Sequence, residues 1–151
     1  MSKKIALAAD HAGFEEKEKL KSTLNELGIE FADMGTTSTD SVDYPDYALK
    51  AARAVANGDF DQGLLVCGSG TGMAIAANKV HGVRAAVAWS PDIARLARQH
   101  NNANILALPA RFISDDQTKE IVKAWFDADF EGGRHERRVE KIEKAEDEDF
   151  K

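Results

Sequence analysis

Apolar residues return along this chain in two alternating patterns. Short unbroken runs occupy Lys4–Ala9, Ile29–Met34, Gly63–Cys67, Val83–Trp89 and Asn104–Leu108. Runs of this length suit strands buried on both faces. Between them lie longer segments whose apolar positions return every three or four residues. The first, Phe14–Leu27, places Phe14, Leu20, Leu24 and Leu27 near one face and stops at Gly28. Gly35–Asp43 is a polar loop. Pro45 suits the first turn of a helix that runs to Asn57 and stops at Gly58. A helix to Val80 follows the glycines of residues 68–72. Ser90-Pro91 supplies a cap and first position for a helix to Gln99. A helix over Asp116–Phe126 buries Ile121, Val122, Trp125 and Phe126, and a last helix covers His135–Ala145.

Strands alternating with helices predict an α/β protein: a parallel sheet with helices on both faces. Right-handed crossovers then give a three-layer α/β/α sandwich with a Rossmann-like, five-stranded parallel sheet. We expect residues 1–151 to form one domain, with a C-terminal helix from residue 135 and a charged tail, 146–151, fraying into solvent. In such sheets ligands sit beyond the carboxyl ends of the strands. The residues to inspect are therefore Asp10-His11, Cys67 with its glycines, Ser90-Pro91 and Pro109-Ala-Arg111.

Composition narrows the function. The chain has 151 residues, 43% of them hydrophobic, enough for a core without a metal or disulfide staple. Lys and Arg total 20 against 26 Asp and Glu, a net charge of −6, which argues against a general nucleic-acid binder. The single cysteine, Cys67, rules out an intrachain disulfide. The apolar stretch Ile5–Ala9 is cut off by Asp10, too soon for a signal-peptide core. No run approaches the ~18 apolar residues of a membrane span. The expectation is a soluble, cytoplasmic protein with no membrane partner. The four histidines are scattered and no group has metal-ligand spacing, so no metal site is expected.

The loop Gly68-Ser-Gly-Thr-Gly72 joins a strand to a helix, where alternating glycines let main-chain N–H groups converge on an anion. It is neither a dinucleotide fingerprint nor a Walker loop, and a tight turn needing glycine dihedrals also explains it. Cys67 directly precedes the loop. A lone cysteine is commonly a small buried hydrophobe, but here the following N–H groups and helix dipole should favour a thiolate, a candidate base or nucleophile. Ser69 could relay a proton, or merely shape the turn. Asp10-His11 reads either as a capped helix start or as a site at the sheet edge. His100 falls at a helix end, where the dipole alone would explain it. His81 lies at the wrong edge and is read as structural. Arg134 and Arg138 share a helix face. They are either a solvated charged surface or a guanidinium clamp for phosphate.

Taken together, Asp10-His11-Ala-Gly-Phe14, Asp43-Tyr-Pro-Asp-Tyr47, Cys67-Gly-Ser-Gly-Thr-Gly72, Ala76-Ala-Asn-Lys79, Arg98-Gln-His-Asn101 and Gly132-Gly-Arg-His135 through Arg138 resemble the ribose-5-phosphate isomerase type B family, in order and over nearly the whole chain. The resemblance implies a cofactor-free aldose–ketose isomerase interconverting ribose 5-phosphate and ribulose 5-phosphate through an enediolate. It also implies strand order 2-1-3-5-4 and a homodimer, or a larger assembly of it, with active sites at the subunit interface. Members use a Cys at the position of Cys67 or a Glu at that of Met73, so this chain is similar to the Cys type; relatives of that type often carry Thr where Ser69 stands. By the same analogy His100 assists ring opening with Asp10 as partner, and Cys67 moves the carbon-bound proton. Ser69 moves protons between oxygens. The N–H groups of Gly68, Ser69, Gly70, Thr71 and Gly72 form the oxyanion site. His11, Arg134 and Arg138 hold the phosphate, and Asn101 and Arg111 complete the pocket.

Two other classes of function remain open on the sequence. One is an isomerase of a six-carbon phosphosugar, galactose 6-phosphate or allose 6-phosphate, with Tyr44, Tyr47 and the residues near Arg111 setting pocket length. The other is a non-catalytic module that binds a phosphometabolite, or a family member that has lost activity.

Overall fold

The structure, a computed structural model, describes residues 3–149. Five parallel strands, β1 (Lys4–Ala9), β2 (Glu30–Asp33), β3 (Gln62–Cys67), β4 (Ala85–Val87) and β5 (Ile105–Pro109), form one sheet of order β2-β1-β3-β5-β4. Six helices accompany them: α1 (Phe14–Glu26), α2 (Tyr44–Ala56), α3 (Thr71–Ala77), α4 (Pro91–Asn101), α5 (Asp115–Asp127) and α6 (Arg134–Asp149). The expected architecture and strand order are those observed.

The period of two along each strand divides the core between the sheet's faces. Ile5, Leu7 and Ala9, Leu64 and Val66, and Leu106 and Leu108 pack on α1, α4 and α5 through Leu20, Leu24, Ala94, Ala97, Ile121 and Trp125. Ala6 and Ala8, Leu65 and Cys67, and Ile105 and Ala107 face α2 and α3 through Ala48, Ala51, Ala52, Met73 and Ala77. The alanines on α2 let that helix approach closely, and Cys67 thereby falls on the α2–α3 face.

Register decides which residues meet at the carboxyl edge. Ala9 pairs with Val66, and Cys67 with Pro109, so β1, β3 and β5 end side by side. The ladder continues beyond them: Asp10 N–H donates to Val66 O at 3.3 Å, Ala110 N–H to Cys67 O at 2.8 Å, and Arg111 N–H to Gly68 O at 3.1 Å.

Three elements depart furthest from their expected bounds. The strand expected over Val83–Trp89 contracts to Ala85–Val87, because Arg84 N–H is taken by the side chain of Asn104 and Val83 belongs to a turn. Asn78 then guards this outer strand: its amide donates to Ala85 O at 3.0 Å and accepts from Ala85 N–H at 2.8 Å, as a neighbouring strand would. The same residue ends α3 at Ala77, short of the expected Val80. At the C-terminus, residues 146–149 are helical rather than frayed. Glu146 accepts from Gly82 N–H at 2.9 Å and Asp147 pairs with His81 at 2.6 Å, which anchors the last turns. The remainder of the expected tail, residues 150–151, lies outside the described residues.

Candidate active site

The carboxyl ends of β1, β3 and β5 open into a cleft of about 220 Å³ bordered by Asp10, His11, Tyr44, Cys67, Ser69 and Arg111, with Gly68 and Gly72 in its floor. Each side chain has a backbone reason for being there. Asp10 directly follows β1 and is buried; its carboxylate accepts from Gly13 N–H at 3.0 Å, closing the turn into α1, and it lines the cleft. Asp10 thus closes the turn before α1 without capping the helix itself, whose N-cap is Gly13. His11 Nδ1 accepts from Val42 N–H at 3.1 Å, which makes Nδ1 an acceptor and leaves Nε2 as the N–H of the neutral ring. Arg111 lies along Gly68, its Nη1 3.3 Å from the place a Cβ would occupy.

The glycine loop is shaped around the sulfur. Gly70 adopts φ +79°, a left-handed turn suited to glycine, and its N–H donates to Cys67 Sγ at 3.1 Å. A side chain at Gly72 would stand 2.7 Å from the Tyr44 ring, so the glycine lets that ring close over the loop. Ser69 is exposed beside the cleft, and its Oγ accepts from the N–H of Thr71, the first residue of α3.

The surroundings of the thiol oppose ionisation on balance, where the loop and helix were expected to favour a thiolate. Burial, the largest influence, raises the Cys67 pKa above that of an ordinary thiol, and the Asp10 carboxylate raises it further. The main-chain amides of Met73, Gly70 and Ser69 pull the other way without prevailing. α3 has only seven residues, so its dipole is weaker than that of the longer helix expected.

The remaining candidates do not border this cleft. His100 and Asn101 end α4, which runs back from β4 toward the amino ends of the strands. There Asn104, three residues on from Asn101, bonds to Gly63 in β3 and to Arg84 just before β4. Arg134 and Arg138 lie in the first turns of α6, which packs on α4. Glu131 N–H donates to Gln99 O at 3.0 Å and ties the two segments together. His100 stacks on His135 with ring centroids 4.0 Å apart and planes 11° from parallel. Glu131 Oε1 lies 3.6 Å from His100 Nε2 and 3.7 Å from His135 Nε2. Desolvation, then the charges of His100 and Arg134, lowers the pKa of His135. So the scattered histidines whose spacing offered no metal ligands are partly gathered by the fold. Glu131 did not stand out in the sequence, and His135 did so only within the Gly132–Arg138 motif, because each is far from His100 along the chain. His81 stays apart, paired with Asp147.

The rest of the described surface is consistent with the composition. No helix among the described residues is long and apolar enough to cross a membrane. Lys17 is fully buried in α1 and reaches Asp33 at 2.6 Å. Desolvation opposes ionisation of Asp33, but hydrogen bonds from Lys17, Lys21 and the Gly35 N–H outweigh it and hold its pKa at about 2. That ion pair pins the end of β2 and the loop that delivers Val42 to His11.

Comparison with known proteins places this geometry. Residues 5–142 match the Ribose/Galactose Isomerase family. Ribose-5-phosphate isomerase B of Escherichia coli is 49% identical over 93% of this chain and 94% of its own. The structure of ribose-5-phosphate isomerase B from Clostridium thermocellum superposes with a TM-score of 0.94 at 47% identity, covering 96% of this chain and 98% of that one. The Mycoplasma genitalium ribose-5-phosphate isomerase B solved with bound ribulose 5-phosphate gives a TM-score of 0.92 at 44% identity, covering 98% and 99%. A match of this extent, over a cleft of this make-up, means that the chain belongs to the ribose/galactose isomerase family.

Proposed function

We propose that the protein interconverts ribose 5-phosphate and ribulose 5-phosphate through an enediolate, with Cys67 as the carbon base. The observation that carries this reading is a sulfur at the end of β3 that faces the glycine turn, with Asp10 and His11 at the same edge. In the forward direction the Cys67 thiolate removes the C2 proton and the electron pair moves to form the enediolate. The resulting thiol returns a proton to C1 as O2 becomes the ketone. The loop amides around Sγ border the oxygen that gains charge, and donors of this kind are worth ~3–4 kcal/mol each. Ser69 passes a proton between the two sugar oxygens. Sugar hydroxyls that donate to Asp10 weaken its field at the sulfur, so substrate itself brings the thiol toward ionisation.

The phosphate and ring-opening groups come from a second copy of the chain. His100, Asn101, Arg134 and Arg138 of one copy complete the cleft of the other, where His11 and Arg111 wait on the phosphate side. Exposed apolar side chains support this arrangement: Phe112, next in the chain to Arg111 of the cleft, is 75% exposed, and Ile75 in α3, the helix that follows the glycine loop, is 58% exposed, surface that a second copy would cover. No residue of the mechanism calls for a cofactor or metal.

The test is solvent exchange at carbon. With ribose 5-phosphate in deuterated water, the product and recovered substrate acquire deuterium at the transferred position. A coupled assay against galactose 6-phosphate and allose 6-phosphate shows turnover at least about tenfold slower, the size of effect that one misfitted carbon produces. Absence of both turnover and exchange would reduce the protein to a binding module, turnover without exchange would count against the enediolate, and preference for a six-carbon substrate would move it to that branch of the family.

A further inference from the structure

The cluster of His100, Glu131 and His135 gathers three metal-binding side chains whose donor atoms all lie within 4.8 Å of one another. In a tetrahedral site with ligands about 2.0–2.1 Å from the ion, neighbouring donors stand about 3.3–3.4 Å apart. Two of the three edges here, both from Glu131 Oε1 to an Nε2, are already 3.6 and 3.7 Å. The backbone under them is fixed: Glu131 is tied to Gln99 O at 3.0 Å, and His135 N–H donates to Gly132 O at 3.1 Å. The third edge must shorten, and the stacked rings must splay so that each lone pair meets the ion. His100 is free to turn, since it is half-exposed in the last turn of α4, whereas His135 is buried and supplies the fixed arm.

We propose that His100, Glu131 and His135 form a binding site for a divalent transition-metal ion of the zinc class, and that occupation of the site inhibits the enzyme. Two imidazoles and one carboxylate are a donor set suited to zinc and cobalt rather than to magnesium or calcium. Inhibition follows because a metal-bound imidazole has no lone pair left to accept a proton from the sugar. This consequence rests on His100 acting in ring opening, as read above; the binding site itself does not.

The experiment uses the full-length protein freed of metal with a chelator. Cobalt(II) is titrated while visible ligand-field absorption is followed, and zinc is titrated against isomerase activity. One cobalt per chain is expected, with intense tetrahedral bands. Glu131→Gln, an exposed change that leaves the core intact, weakens metal affinity by at least about tenfold, and His135→Gln does the same, each compared with its own metal-free protein. Zinc inhibits the unmodified enzyme, chelator restores it, and Glu131→Gln requires at least about ten times more zinc. Three results would overturn the site: no cobalt spectrum, equal affinity in Glu131→Gln, or a near-ultraviolet thiolate-to-cobalt band that Cys67→Ala removes. Cobalt bound through Glu131 with turnover unchanged upholds the site and instead removes His100 from the chemistry.

Discussion

The cleft beside Cys67 and the cluster around His100 lie toward opposite ends of one sheet and are held by different forces. Around Cys67 nearly every constraint is main-chain: the β1–β3 and β3–β5 ladders, their continuation through Asp10, Ala110 and Arg111, and the Gly70 N–H on the sulfur. Such a frame leaves little freedom where a proton must pass between adjacent carbons. Around His100 the constraints are a ring stack, a carboxylate and one interhelical hydrogen bond. The contrast fits the division of labour proposed above, in which the rigid half would perform the carbon chemistry and the other half, delivered by a second copy, would open the ring and grip the phosphate.

Removing the base sharpens this comparison most. Cys67→Ala should lower kcat by at least about 100-fold with little change in KM; near-full turnover in a steady-state assay would take the sulfur out of the reaction. The division between copies can be broken directly by mixing. Cys67→Ala and His100→Asn chains, each nearly inactive alone, should regain about a quarter of normal activity when unfolded and refolded together in equal amounts, because half the dimers then hold one intact site of two. No recovery would mean that both halves serve the site of a single chain. Arg134→Ala and Arg138→Ala should each raise KM for the phosphosugar by about 10–100-fold, the usual worth of a charged hydrogen bond, with a smaller effect on kcat.

The same comparison extends to pH. Because burial and Asp10 raise the Cys67 pKa, alkylation of the thiol by iodoacetamide should accelerate only as pH climbs past the ordinary thiol range. Asp10→Asn removes the negative neighbour and should move that profile to lower pH; an unmoved profile would show that Asp10 has no hold on the sulfur. The smallest effect lies outside both regions. Glu16 in α1 is held up to about 7 by burial and by its hydrogen bond with Asp115 at the start of α5. A carboxyl raised in the folded state stabilises below its unfolded pKa, and that contribution is lost as pH rises through about 7. Glu16→Gln should therefore raise Tm at pH 8 more than at pH 5, by no more than about 2 °C given its exposure. Calorimetry at the two pH values decides it.

Where the sequence misled, side chains rather than pattern were responsible. Lys17 looks like one more charged position on the outer face of α1, yet it is fully buried on Asp33, since a lysine's long stem can cross the core to a partner on another element. The short β4 follows from Asn104 and Asn78, whose amides occupy the ladder positions an apolar run would predict to be strand. The state of Cys67 depended on a balance: the loop amides were legible, but the burial that outweighs them was not.

The amino-acid sequence by itself determined the alternation of strand and helix, the split of each strand between two faces, the glycine loop after Cys67 and the match to a family. These are local or periodic properties, set by steric preference and by which residues avoid water. Only the tertiary structure decided that Asp10 faces Cys67, that His11 keeps its Nε2 proton, that His135 and Glu131 join His100, and that the two groups of residues stand apart within one chain. Those are distances between elements far apart in sequence. They are fixed by strand register and helix direction, which no single segment encodes.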